Sequence, residues 1–246
     1  MERSGTVSLG RSCRRRSLRS FSPHEPHHRA LRWPRANLYQ ACVLASISGD
    51  LGAKVLHGGW DAFNYVDGFA GPWKVRDEEG CSDASFGVAV DLLETVREFV
   101  EPRRRGPRLK VRFYPCEKDP DAVARLRAYA QRKDHIEIHV FDGAFEDNLD
   151  QIALRIPNGF TFTFIDPTNW VVRIEEVCDF LKGRTGEFLF NFMTEEVSRH
   201  SVNPKVAHQF GDFVGDPNWE DTAKQLPAGL KGEIRVLHLL KNAFRS

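Results

Sequence analysis

From about residue 60 onward, the arrangement of apolar and polar positions divides the chain into alternating strand-like and helix-like stretches. Five short runs rich in β-branched and aromatic residues read as strands. They are Phe63 to Asp67 (FNYVD), Lys110 to Cys116 (KVRFYPC), Ile136 to Phe141 (IEIHVF), Phe160 to Ile165 (FTFTFI) and Glu187 to Phe192 (EFLFNF). Their mixed or continuous apolar faces suit strands covered on both sides. Between them, Asp119-Pro120 sets a capping carboxylate before a proline at the first helical position, and Val123, Leu126, Tyr129 and Ala130 mark one face of the helix that follows. Ser82 to Val100 carries Phe86, Val90, Leu93 and Val96 or Val100 at helical spacing, a pattern for core packing. Strands alternating with helices predict an α/β fold with a mainly parallel sheet, and right-handed crossovers place helices on both faces.

Residues 36–59 read as a helical lead-in, residues 60–205 as the core, and residues 206–246 as a helical C-terminal segment. Within that last segment, Val214 to Glu220 and Gly232 to Phe244 are helix-like. Ile234, Val236, Leu237, Leu239, Leu240 and Phe244 keep an apolar face as far as the last residues, which predicts an incomplete domain or a partner surface. Residues 1–35 lack apolar periodicity and are expected to be disordered.

Charge sharpens that division. The whole chain carries a formal +1, yet residues 1–35 hold nine arginines against two glutamates, so the remainder is net acidic. Basic character belongs to the tail, where a solvated extension competes with a nucleic-acid arm; His24, His27 and His28 have no companion ligands there, and no metal is expected. Cys13, Cys42, Cys81, Cys116 and Cys178 are scattered without a C-x-x-C pair, which fits a reduced, cytoplasmic chain. The apolar run Ala41 to Ile47 falls far short of the roughly 20 residues a membrane span takes, so no membrane association is expected. Neither G-x-G-x-x-G nor G-x-x-x-x-G-K-[ST] occurs, which removes the main support for a dinucleotide or P-loop site.

Ligands of open parallel sheets bind beyond the carboxyl ends of the strands, so the residues just after each strand carry the functional information. Asp67-Gly68-Phe69-Ala70-Gly71-Pro72 combines a carboxylate with small residues that let the backbone approach a ligand. Glu117 stands at the tip of the second strand, Asp142-Gly143 follows the third, and Asp166-Pro167-Thr168-Asn169-Trp170 follows the fourth. Each is also ordinary turn chemistry, but four in register point to a site. Pro115-Cys116 matches the nucleophile dipeptide of cytosine-C5 methyltransferases, though after the wrong strand, and a buried cysteine without a catalytic role is the simpler reading. Arg199 and His200 read as a surface helix or as phosphate or partner contacts. A nuclease or glycosylase holding magnesium with Asp67, Asp142 and Asp166 is an alternative that no ligand spacing singles out.

The register resembles that of class I S-adenosylmethionine (SAM)-dependent methyltransferases. The resemblance implies that Asp67, Gly68, Phe69, Ala70 and Gly71 hold the amino-acid part of the cofactor, Glu117 its ribose and Asp142 its adenine. Asp166-Pro167 is similar to the start of the D-P-P-[FYW] motif of amino-methyltransferases, which implies a catalytic role in holding a target amine; Thr168 replaces the second proline and Trp170 arrives one position late. More closely, YVDGFAGP (Tyr65 to Pro72), EKDP (Glu117 to Pro120), FIDPTNW (Phe164 to Trp170) and NFMTEEVSRH (Asn191 to His200) resemble, in order and spacing, the three-Cys-motif partner protein family, TcmP, over roughly residues 60–220. That resemblance implies a Rossmann-like methyltransferase-type fold, expected as a three-layer sandwich with strand order 3-2-1-4-5, and a functional link to a three-Cys-motif, radical-SAM-like protein, but no particular reaction; modification of DNA or RNA together with that partner is the leading expectation. Trp73 stands where the family usually has glycine, and Thr168-Asn169 where it has [FY]-G, so a catalytically inactive scaffold on the same fold is the competing expectation.

Overall fold

The computed structural model describes residues 5–7, 35–71, 84–167, 172–192, 207–227 and 238–239. Strand β1 (Gly5–Val7) and helix α1 (Arg35–His57) precede the alternating core. The core runs β2 (Ala62–Asp67), α2 (Ser85–Val100), β3 (Lys110–Glu117), α3 (Pro120–Ala130), β4 (Glu137–Ile138), β5 (Phe141–Asp142), α4 (Phe145–Arg155), β6 (Phe160–Ile165), α5 (Ile174–Lys182) and β7 (Gly186–Phe192). Helices α6 (Ala207–Val214) and α7 (Trp219–Gln225) follow. The sheet order is β1-β7-β6-β2-β3-β4, with β5 also paired to β3. Counting the five strands read from the sequence, this is the expected order 3-2-1-4-5, and all of their pairings are parallel.

Alternation along each strand sorts the core into two halves. Phe63, Tyr65, Phe113, Phe160, Phe162, Phe164 and Leu189 face α1, α2 and α3, where Leu51, Val55, Phe86, Leu93, Val96 and Leu126 meet them. Val66, Tyr114, Cys116, Ile165 and Phe190 face the other way, against Phe145, Leu149 and Ile152 of α4, Val177 and Phe180 of α5, and Phe210 and Phe213 of α6. Each such aromatic or branched side chain, fully buried, contributes about 1.5–3 kcal/mol. The crossovers from β2 through α2 and α3 therefore cover one face, and those through α4 and α5 the other. The direction of winding reverses between β2 and β6, the place where open sheets bind ligands.

Three local features differ from the sequence reading. The third strand is split into β4 and β5 although its register to β3 is unbroken. Phe113 and Glu117 accept hydrogen bonds from His139 and Gly143, so the alternate residue Pro115 faces the same neighbour, and a proline has no N–H to complete the ladder there. Inside the tail expected to be disordered, Gly5–Val7 pairs antiparallel with β7, which shields an otherwise open sheet edge. Val214 to Glu220 does not form one helix. α6 ends at Val214, Gly215 takes a left-handed φ of 66°, and α7 starts at Trp219 after a turn in which Asp216 accepts from the Asn218 N–H. Of the final apolar pattern, Leu239 is buried in the second core half, and the rest lies outside the described residues.

α3 follows its sequence signals. Asp119 Oδ1 accepts from the Ala122 N–H at 2.9 Å, and Pro120 occupies the first turn. Among the described residues, no helix is long and apolar enough to cross a membrane.

Candidate functional site

The site grows from the carboxyl ends of β3, β2 and β6. Tyr65, Asp67, Glu117, Asp166 and Asn191 alternate with the residues that face α4 and α5, so all five belong to the sheet face covered by α1–α3. Asp67 ends β2 with 1% of its surface exposed. Its Oδ1 accepts from the Phe69 N–H at 3.0 Å, whereas its Oδ2 is buried with no hydrogen-bond partner among the described residues. Burial pushes its pKa up to about 7, and the charges of Asp166 and Glu117 push the same way against the Phe69 hydrogen bond. Asp166 follows β6 and is raised to about 6, mainly by burial, with the hydrogen bond from Asn191 opposing. Asn191 Nδ2 donates to Asp166 Oδ1 at 2.9 Å, which fixes the orientation of that carboxylate.

The loop after β2 spends its N–H groups inside the protein. Gly68 donates to Phe164 O at 3.0 Å, Phe69 to Asp67, and Ala70 to Cys116 O at 2.9 Å. Three consecutive amides aimed at protein acceptors leave no nest for a phosphate, which physically separates this loop from a dinucleotide-binding one. What the loop presents is a carboxylate. At Gly71 a Cβ would run into Glu117 Oε2, and Glu117 cannot readily yield, because its Oε1 accepts from the Lys118 and Asp119 N–H groups, each at 2.8 Å. Only glycine permits that approach of loop to acid. Phe69 turns away from the site and meets Phe145 at 6.2 Å.

Glu117 and Asp166 are each within electrostatic reach of Asp67. Asp142 lies beside Glu117 in the β3–β5 register, but its side chain is about half exposed and pairs with Arg127 at 3.5 Å. Pro167, the residue after Asp166, is buried. Among the described residues, no group of three or more His, Cys, Asp or Glu could hold a metal ion. Cys116 is buried on the opposite sheet face, with its thiol held well above its ordinary pKa by burial first and by the surrounding carboxylates, a poor setting for a nucleophile. Pro72, Trp73, Thr168, Asn169, Trp170, Arg199 and His200 lie outside the described residues, as do the tail histidines.

Two site residues were not singled out from the sequence. Tyr65 stands two positions before Asp67, so strand alternation places both on one face; Asn191 becomes a neighbour of Asp166 through the parallel pairing of β6 with β7, in which Ile165 is opposite Phe190. The first had a legible signal, whereas the second needed the strand order.

Sheet order and switch-point acids define a Rossmann-like α/β protein with an acidic site at the carboxyl edge of its sheet. No protein-family model matches the chain, and no curated protein matches it.

Proposed function

We propose that this is a methyltransferase-like protein that binds SAM at the carboxyl ends of β2, β3 and β5, and that it works with a three-Cys-motif, radical-SAM-like protein in modifying a nucleic acid. The single observation that carries the cofactor reading is the buried Asp67 carboxylate, with one oxygen unpaired among the described residues, beside Gly68, Phe69 and Ala70, whose amides are consumed within the protein. Such a site rewards a positively charged ligand and gives nothing to a phosphate. The residues fit the group in two further respects: Gly71 keeps the loop open against Glu117, and Glu117 Oε2 remains as an acceptor for ribose hydroxyls. Asp142 would face the adenine. The partner rests on the resemblance of Tyr65–Pro72, Glu117–Pro120, Phe164–Trp170 and Asn191–His200 to the TcmP family, and the nucleic acid is the substrate class proposed with it.

Bound SAM supplies an electrophilic methyl group on its sulfonium. The chain's own contribution is positional: the carboxyl edge of the sheet orients the acceptor, and Asp166, aligned by Asn191 and titrating near 6, holds or takes the acceptor's proton near neutral pH. Calorimetric titration of the full chain with SAM and S-adenosylhomocysteine tests the reading. Micromolar binding, about −8 kcal/mol, that disappears in Asp67→Ala and Glu117→Ala is the expected result, and a folded wild-type chain that binds neither compound refutes it. The scaffold reading, motivated by Trp73 and Thr168-Asn169, is separated by methyl transfer itself. Labelled-methyl incorporation into nucleic acid in the presence of the partner excludes it.

A further inference from the structure

Three Asx-Gly steps occur in the chain: Asp67-Gly68, Asp142-Gly143 and Asn158-Gly159. Such a step can close on itself, because glycine has no side chain to crowd its main-chain nitrogen as that nitrogen attacks the preceding side-chain carbonyl. The fold treats the three differently. Gly68 donates its N–H to Phe164 O at 3.0 Å and Gly143 to Glu117 O at 2.9 Å, so each of these nitrogens is committed to a neighbouring strand. Gly159 is not. The ladder toward β7 begins two residues on, where the Thr161 N–H donates to Thr185 O at 2.9 Å, and the Gly159 N–H has no acceptor among the described residues. Asn158 itself is exposed, in the connection 156–159 between α4 and β6, and no hydrogen bond holds its side chain among the described residues.

We infer that Asn158 is a self-modification site, at which the folded chain converts asparagine to aspartate and isoaspartate without an enzyme. The Gly159 nitrogen gives its proton to solvent base and bonds to Asn158 Cγ. The Cγ–Nδ2 bond breaks, ammonia leaves, and a five-membered succinimide remains. Water then opens that ring at one of its two carbonyls. Opening at Cγ restores the main chain and leaves aspartate, whereas opening at the main-chain carbonyl leaves isoaspartate, with the chain routed through Cβ and Cγ. One water enters and one ammonia departs, with no oxidant or reductant. The two products act differently on the fold. Aspartate adds a charge at an exposed position. Isoaspartate also lengthens the main chain by a methylene between two fixed points: Pro157 O accepts from the buried Asn64 Nδ2 at 3.3 Å, and Gly159 lies so close to β2 that a Cβ there would stand 2.7 Å from Ala62 O. The isoaspartyl form must give up the Asn64 contact or the start of β6, and it is the less stable product.

Peptide mapping by mass spectrometry tests the site on the full chain, incubated folded in mildly alkaline buffer and, in parallel, unfolded in urea. Conversion of Asn158 is read as the mass gained when NH2 becomes OH, and that of Asp67 and Asp142 as a separated isoaspartyl peptide. Folding is expected to leave the Asn158 rate within about twofold of the unfolded chain and to slow Asp67 and Asp142 at least about fivefold, the effect of a retained hydrogen bond. If folding slows Asn158 as strongly as the other two, the site is overturned. An undiminished mass gain of the same peptide in Asn158→Gln places the reaction elsewhere and overturns it too. The isoaspartyl form, isolated by chromatography, is expected to unfold at a lower urea concentration than Asn158→Asp; equal midpoints overturn the predicted effect on β6.

Discussion

Asp67→Asn is the sharpest perturbation, because burial of an ionisable group without a charged partner must be visible as a loss of stability. The carboxyl titrates at about 7 in the folded protein against an ordinary value of 3.8. That difference corresponds to about 4 kcal/mol of disfavour toward the ionised form. The sign follows from proton binding. Between the two pKa values the folded chain holds a proton that the unfolded chain has lost, so stability is fully present below about pH 4, declines as pH rises, and has lost this contribution above about pH 7. Asparagine keeps the acceptor for the Phe69 N–H and removes the ionisation. The stability of Asp67→Asn relative to wild type is therefore expected to climb by about 4 kcal/mol between pH 4 and pH 8. Urea denaturation followed by circular dichroism at four pH values across that window measures it. The pH dependence of the difference, rather than its absolute value, carries the test, since any pH-independent cost of the amide cancels. A flat difference, or one that falls with pH, would refute the picture of Asp67 as a buried, unpaired carboxylate. The same variant is expected to lose ligand binding, the usual exchange of stability for a charged site.

Asp166→Ala should retain cofactor binding and lose turnover, and Asn191→Ala should lower turnover less while moving the acidic limb of the pH–rate profile, measured by methyl transfer across pH 5–8. Gly71→Ala would push Glu117 off the Lys118 and Asp119 amides; calorimetry is expected to show cofactor affinity reduced about 10- to 100-fold with thermal stability changed little. Removing the α3 cap in Asp119→Ala should cost about 1 kcal/mol in urea denaturation and leave ligand binding intact, because among the described residues that side chain serves the Ala122 N–H alone.

What the sequence determined by itself is the part of the protein written in short-range chemistry. Period-2 apolar runs place β2, β3, β6 and β7 within a residue or so of their ends. Asp119-Pro120 states the start of α3 because a cap and its proline act over one turn. The positions of the strand-end acids follow from the same local logic, since the last residue of each parallel strand and the one after it stand at the carboxyl edge of the sheet. Where local pattern competed with pairing, pairing decided. Ile136 to Phe141 reads as one strand, but Pro115 on its neighbour withholds the N–H that would join the two pieces. Gly5–Val7 has no strand pattern of its own and is ordered by the open edge of β7.

The character of the site is also a tertiary property. No local pattern shows that Asp67 Oδ2 and Tyr65 Oη end without partners among the described residues, that Glu117 spends one oxygen on two amides, or that the half-exposed Asp142 pairs with Arg127. Asn191 and Asp166 lie 25 positions apart and meet only because β6 and β7 run parallel and adjacent. Carboxylate identity is local, whereas burial, partnership and proton affinity are set by whichever distant segments the fold brings alongside.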